Sequence, residues 1–364
     1  MMSNPILEVR NYGQSIWYDN IHRGMLLSGE MQQLIAEGVA GVTSNPTIFE
    51  KAIAGSQDYD ADLQALVKQG LDSTGSYEAL ALEDIRQTAD LLRPVHEKTD
   101  GQDGYVSLEV RPDLAYDTPG TISEARRLFA AVERPNVMIK VPATTAGVPA
   151  IEALIAVGVN INVTLIFSIL HYEAVARAYL SGLEQRLAVG LPLHTVASVA
   201  SFFVSRVDTA VDRELERLGV DELRGKIAVA NAKVAYTRFC SIFSGERWEA
   251  LARSGARPQR PLWASTGTKN PAYSDTLYVD NLIGPHTVNT VPPATLQAFR
   301  QHGRLAPTLE AGLPEAYDNL RRLAELGVDL HSITQKLQED GVDAFASSYD
   351  ALIASLEGKI QQLR

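Results

Sequence analysis

The 364-residue chain is short of several things, and each shortage removes a class of function. It has one cysteine, Cys240, which excludes an intramolecular disulfide and any cysteine-rich metal cluster and fits a reducing, cytoplasmic setting. Its neighbourhood, "AYTRFCSIF", has the spacing of a helical core stripe, so Cys240 is expected as a small packed thiol rather than a nucleophile. Positive charge is scarce: 33 Lys and Arg against 44 Asp and Glu leave a formal net charge of -11. That balance argues against a nucleic-acid surface and against binding to an anionic membrane. The histidines (His22, His96, His171, His194, His286, His302 and His331) are scattered without metal-ligand spacing, so no metal is expected.

Long hydrophobic runs are missing as well. The N-terminus "MMSNPILEVRNYG" has no apolar stretch behind a basic start, so no signal peptide is expected. The longest near-apolar run, 151–170, is interrupted by Glu152, Gly158, Asn160 and Asn162 and changes period midway. It reads as helix, turn and strand, not as a membrane span. There is no internal repeat, no low-complexity tract and no Walker phosphate loop.

What is present is a regular alternation. A composition of 45% hydrophobic and 21% charged residues suits a compact protein with a sizeable core. Short apolar runs read as strands at 15–20, 41–45, 105–110, 137–142, 161–167, 196–203, 261–266 and 276–282, and stretches with three- and four-residue apolar spacing lie between them. Strand-helix alternation implies parallel pairing with right-handed crossovers, and eight runs predict a (β/α)₈ TIM barrel rather than an open doubly wound sheet. About sixty residues separate the second and third runs and hold at least two helical patterns, so additional helices are expected there. Residues 245–260 read as a Gly-, Arg- and Pro-rich connector, and 294–364 as a helical C-terminal extension. The expectation is one domain over 1–364 with that extension packed on the barrel.

In parallel barrels, chemistry sits at the C-terminal strand ends. Here those ends carry Asp19, Asn45, Glu109, Lys140, Asn162 with Thr164, Ser201 and Ser265. Alternation along a strand puts Asn162 with Thr164, Ser107 with Glu109 and Ser201 with Phe203 on common faces. Lys140 in "NVMIKVPAT" is the most informative of these residues. A buried ammonium is costly unless paired, so an ion pair with Glu109 or Asp19 is one reading. The other is a nucleophile: apolar walls favour a neutral amine, which attacks carbonyls, and nearby carboxylates and hydroxyls move the protons of imine formation. Polar groups at so many strand ends favour the second reading.

A second cluster, "ASTGTKNPAYSD" (264–275), places small residues before Lys269 after the seventh strand, where barrels often bind phosphate. An ordinary glycine-containing turn with a solvated lysine explains it equally well. Arg206, five residues beyond Ser201, offers a bidentate donor.

The motifs "GVTSNPTIFEKAI", "YVSLEV", "NVMIKVPAT", "INVTLIFS", "ASFFVSRVD" and "LWASTGTKNPAYSDTLYVDNLIGPHTVNTVPP" together resemble the transaldolases, specifically the longer bacterial type, over about residues 15–296. The resemblance implies a cofactor- and metal-free (β/α)₈ enzyme of the pentose phosphate pathway that moves a dihydroxyacetone unit between sugar phosphates. It also implies Lys140 as the Schiff-base lysine, Asp19 as the acid-base group at the donor C4 hydroxyl, and Glu109 with Thr164 and a water as proton shuttle. Asn45, Asn162 and Ser201 resemble the groups holding the dihydroxyacetone hydroxyls, and Arg206 and Ser265 the phosphate ligands. The pattern departs from the family in its phosphate loop. In the best-known members an arginine follows the serine closely, whereas this chain has a longer loop and Lys269. Residues 245–260 have no counterpart. Two other readings are a fructose 6-phosphate aldolase-like lyase, which carries tyrosine where this chain has Phe203, and a non-catalytic phosphosugar-binding barrel. The sequence leaves monomer and homodimer both open.

Overall fold

The computed structural model describes residues 4–363. Met1 to Ser3 and Arg364, the ends of the N-terminal reading and of the expected domain, lie outside the described residues. Eight parallel strands close into a barrel in chain order. They are β1 (Gln14–Tyr18), β2 (Gly41–Val42), β3 (Tyr105–Glu109), β4 (Val137–Pro142), β5 (Ile161–Ile166), β6 (Ser198–Phe203), β7 (Arg260–Ala264) and β8 (Thr287–Val291). β8 pairs with both β1 and β7, so no strand edge is left open. The strands read as apolar runs because both of their faces are covered, one by the outer helices and one by the barrel interior. In β4, buried throughout, Val137, Ile139 and Val141 share one face and Met138 and Lys140 the other.

Two contacts fix the barrel geometry. A Cβ on Gly41 would lie 2.5 Å from the Trp17 ring, so only glycine lets β2 pass that indole. At the N-terminal end Asp103 accepts hydrogen bonds from Ser15 (2.6 Å), Trp17 Nε1 (3.0 Å) and Arg260 Nη2 (2.9 Å). Burial alone would raise the Asp103 pKa, but the Arg260 charge and these donors hold it below the usual aspartate value. This end of the barrel is a structural plug; the reactive groups lie at the other end.

Four expectations need correction. The run 276–282 is not the eighth strand: Leu277–Asn281 is a short helix, and β8 lies further on at Thr287–Val291. "TLYVDNL" is rich in strand-forming residues, but Thr276 Oγ1 donates to Asp280 Oδ2 (2.8 Å) and Asn281 Nδ2 to the Leu277 carbonyl (2.8 Å). These local bonds close a helical turn, and Tyr278 ties it to Asp208 (3.0 Å) on a neighbouring helix. The 245–260 stretch begins as a helix, Gly245–Arg253, docked by Trp248 edge-on to Phe243 with ring centroids 5.1 Å apart. The ladder of the second strand stops at Val42 rather than continuing to 45, because Asn45 turns away to cap the next helix. Cys240 is exposed on the outer side of its helix, although its neighbour Phe239 is buried.

Three helices, Pro46–Ala54, Asp60–Lys68 and Ser73–Lys98, fill the long interval after β2. Beyond β8 come Pro293–His302, Leu313–Glu325 and the long Leu330–Leu363, which packs against Pro46–Ala54, Ser73–Lys98 and β5. Lys359 near its end donates to the carbonyls of Ile53 (3.0 Å) and Ser56 (2.8 Å). No helix among the described residues is long and apolar enough to cross a membrane.

Candidate active site

A cavity of about 330 Å³ opens at the C-terminal ends of the strands. Nine of the eleven residues singled out from the sequence line it: Asp19, Asn45, Lys140, Thr164, Ser201, Phe203, Arg206, Ser265 and Lys269. Glu109 and Asn162 do not line it, but each touches a residue that does.

Lys140 projects from β4 with its side chain only 6% exposed. Its Nζ donates to the Ser44 carbonyl (2.9 Å) and lies 3.2 Å from Glu109 Oε2. The ion pair is close, yet its alignment is too poor for a hydrogen bond, and both Glu109 oxygens are buried without a hydrogen-bond partner. Burial raises the Glu109 pKa; the Lys140 charge opposes the rise and the Asp19 charge adds to it. Thr164 Oγ1 is likewise buried and unpartnered. A buried carboxylate and hydroxyl without partners are where protons and a water can be handled. The next residue, Leu165, is left-handed at φ 59, and the β5–β6 register shifts between Val163 and Ile166. Such a bulge re-aims side chains beside a site, at a cost of roughly 1–3 kcal/mol for the strained residue.

Asp19 follows β1, on the far side of the cavity. Thr43 Oγ1 donates to its Oδ1 (2.7 Å) and sits 2.6 Å from Thr290 Oγ1. With Asp19 ionised, the single Thr43 proton goes to it, so the Thr290 hydroxyl donates to Thr43, giving a directed chain from Thr290 to Thr43 to Asp19. Burial raises the Asp19 pKa, and the Thr43 hydrogen bond and the charges of Lys140, Lys269 and Arg206 moderate the rise. A carboxyl group shifted toward neutrality is suited to taking a proton and giving it back.

A fixed polar layer lies beneath. Ser201 Oγ donates to Asn162 Oδ1 (2.6 Å), and Asn162 Nδ2 donates to Ser107 Oγ (3.0 Å). Three strands are thereby tied together, and Asn162 holds Ser201 in place under the cavity. Asn45 caps the helix Pro46–Ala54 through its Oδ1, which accepts from the Ile48 amide (3.0 Å). That bond fixes the rotamer and leaves its NH₂ for a ligand.

Three cations, Arg206, Lys269 and Lys51, also line the cavity. Arg206 lies near the start of the helix Ser205–Leu218, its guanidinium 5.4 Å from the Phe203 ring centroid. Among the described residues no carboxylate pairs with Arg206, Lys269 or Lys51, all of which line the cavity. Burial lowers the Arg206 pKa, and the Asp19 charge opposes that. Ser265 is held left-handed at φ 55, with Oγ 3.0 Å from Ser205 Oγ. Unpaired cations, a helix N-terminus and a hydroxyl pair are groups that can attract an anion. Lys269 thus faces the cavity instead of standing on an isolated turn.

Sequence reading missed Thr43, Thr290, Lys51 and Phe345; it placed Ser107 on the face of Glu109 but not as the partner of Asn162. Strand parity would have flagged Thr43, two residues before Asn45. Thr290 was hidden by the misplaced eighth strand. Phe345 gave no signal, since it stands in an ordinary helical stripe far along the chain.

Residues 16–356 match the family model described as "Transaldolase/Fructose-6-phosphate aldolase". The chain is 52% identical to a transaldolase of Thiobacillus denitrificans over 97% of this chain and 99% of that protein. It is 49% identical to a transaldolase of Thermobifida fusca, covering 97% of each. It is 47% identical to transaldolase 2 of Nostoc sp., covering 100% of this chain and 99% of the relative. A closed eight-stranded parallel barrel with a buried lysine at its mouth is the architecture such a match implies, and the chain belongs to the transaldolase/fructose-6-phosphate aldolase family.

Proposed function

We propose that Lys140 forms an imine with the keto carbon of a ketose phosphate, while Asp19, Glu109 and Thr164 move the protons. The reaction is that of a transaldolase. A dihydroxyacetone unit passes from sedoheptulose 7-phosphate or fructose 6-phosphate to glyceraldehyde 3-phosphate or erythrose 4-phosphate, in the non-oxidative pentose phosphate pathway.

The observation that carries the residue assignment is the Lys140 Nζ, 3.2 Å from a buried Glu109 carboxylate that no hydrogen bond satisfies. Glu109 takes the ammonium proton, freeing the amine to attack the carbonyl. With Thr164 and a water, it then returns a proton to the carbinolamine hydroxyl, which leaves as water. Asp19 removes the C4 hydroxyl proton, the C3–C4 bond breaks, and the protonated imine accepts the electron pair as an enamine. The aldose phosphate departs. An acceptor aldehyde takes its place, the enamine carbon bonds to it, and Asp19 returns the proton to the new hydroxyl. Hydrolysis of the imine frees the product and Lys140.

Ser201 and Asn45 hold the dihydroxyacetone hydroxyls, with Asn162 beneath. Arg206, Ser265 and Lys269 take the phosphate. Phe203 lies against Phe167 with ring centroids 5.1 Å apart and brings no hydroxyl to the enamine, which favours transfer over the aldolase reading. The deep anchoring of Leu330–Leu363 supports one domain with 294–364 as its helical extension, and the single cysteine supports a cytoplasmic location.

Borohydride added with fructose 6-phosphate traps a covalent adduct on Lys140, located by peptide mass spectrometry. An active enzyme with Lys140 unmodified would overturn the assignment.

A further inference from the structure

The C-terminal helix Leu330–Leu363 reaches the reacting groups, and it does so through one face. Gln338, only 4% exposed, donates through Nε2 to the carbonyls of Ala143 (3.0 Å) and Leu165 (2.9 Å), where the chain leaves β4 and β5. Those strands carry Lys140 and Thr164. One turn on, a Cβ at Gly341 would lie 2.8 Å from Leu165 Cδ2, so glycine makes room for the left-handed Leu165. At the next turn the buried Phe345 lines the cavity, its ring centroid 5.8 Å from Lys140 Nζ. Ser348 then bonds Thr47 (2.8 Å) on the helix that Asn45 caps. Positions 338, 341, 345 and 348 follow three- and four-residue spacing, which places them on one helix face.

We propose that Phe345 is a specificity-determining residue: it walls the Lys140 intermediate off from bulk water, so that the enamine passes to an aldehyde acceptor instead of being released. Gln338 and Gly341 are positioning residues that set the ring's height above Lys140. This rests on the reading of Lys140 as the imine-forming lysine. The enamine carbon has two fates. It bonds to the carbonyl carbon of an acceptor, whose oxygen takes a proton from Asp19. Alternatively it takes a proton from water; a second water then adds at the imine carbon, the C–N bond breaks, and dihydroxyacetone leaves with that water's oxygen as its carbonyl. Only the first conserves the carbon unit. An apolar ring carries no proton to give and excludes the solvent that has one. Its face also favours the cationic imine over the neutral one.

The test uses Phe345→Ala and Phe345→Leu with fructose 6-phosphate as donor. Two rates are measured: free dihydroxyacetone release without acceptor, and sedoheptulose 7-phosphate formation with erythrose 4-phosphate. For Phe345→Ala the ratio of release to transfer rises about 10-fold or more, and Phe345→Leu stays near the parent ratio. A merely structural role lowers both rates together and leaves the ratio constant, which would overturn the proposal. Gln338→Met shifts the ratio in the same direction by a smaller factor, and it decides the matter by the same criterion if Phe345→Ala does not accumulate as folded protein. Borohydride trapping separates the two layers. An unchanged ratio with the Lys140 adduct still formed refutes the role of Phe345 alone, whereas no adduct in the parent enzyme refutes the lysine assignment.

Discussion

Replacing Thr43 by valine removes one hydroxyl from the site at almost constant volume. That hydroxyl donates to Asp19 Oδ1 at 2.7 Å and is itself 2.6 Å from Thr290 Oγ1, so the change also cuts the directed chain. A hydrogen bond to a charged group contributes about 1.5–3 kcal/mol, and one pKa unit corresponds to about 1.4 kcal/mol. Asp19 already titrates above the ordinary aspartate value because it is buried, and Thr43 is the largest influence pulling it back. Thr43→Val therefore raises the Asp19 pKa further, because the largest influence stabilising its ionised form is gone. In the proposed mechanism Asp19 takes the C4 hydroxyl proton and must be ionised, so activity is present above its pKa and lost as pH falls through it. The acid limb of the kcat/KM profile moves to higher pH, while Schiff-base trapping on Lys140 persists. The assay is donor cleavage with acceptor in excess, run from acid to alkaline pH. An acid limb that stays in place while the plateau falls would refute Asp19 as the titrating group and Thr43 as its tuner.

Arg206→Ala raises KM for phosphorylated donors about 10- to 100-fold, from loss of charged hydrogen bonds of about 1.5–3 kcal/mol, and changes kinetics with unphosphorylated dihydroxyacetone little. Lys269→Ala and Lys51→Ala give smaller effects in the same comparison, because both lysines are exposed and water screens them; equal effects on both substrates would remove Lys269 from the phosphate site. Asp103→Ala leaves Arg260 as an unpaired buried charge at the closed end of the barrel and lowers the stability read by urea unfolding by about 3–5 kcal/mol. The Asp103 pKa is depressed in the fold, so its contribution is full above the unfolded value near 3.9 and is lost as pH falls through the lower folded value. The variant accordingly loses less stability than the parent on acidification below about pH 4, and a parallel loss would contradict that account.

Much of this was legible because strand patterns in a parallel barrel are strong and local. The runs around Asp19, Glu109, Lys140, Thr164 and Ser201 match observed strands to within two residues at each end, since apolar strands buried on both faces announce themselves by composition. The eighth strand was misplaced because "TLYVDNL" and "TVNTV" have similar strand propensity. Side-chain bonds from Thr276 and Asn281 closed the first into a helix, while pairing with β1 and β7 drew in the second. Cys240 shows the same limit, because its helical stripe was read correctly and assigned to the wrong face.

By itself the sequence determined the alternation that closes into a barrel, the lysine within a strand, and the residue types needed for imine and aldol chemistry. Periodicity and residue chemistry are properties of neighbouring positions, and those are written along the chain. Tertiary structure alone decided which partners these groups have. It placed the Glu109 carboxylate beside Lys140 but unsatisfied, pointed the Thr43 hydroxyl at Asp19, and brought Arg206, Lys51 and Lys269 to the wall of one cavity. It also brought Phe345 from the final helix to within 5.8 Å of an amine more than half the chain away. Such encounters follow from barrel closure and helix packing, which depend on the summed shape of many side chains and leave no mark at any single position.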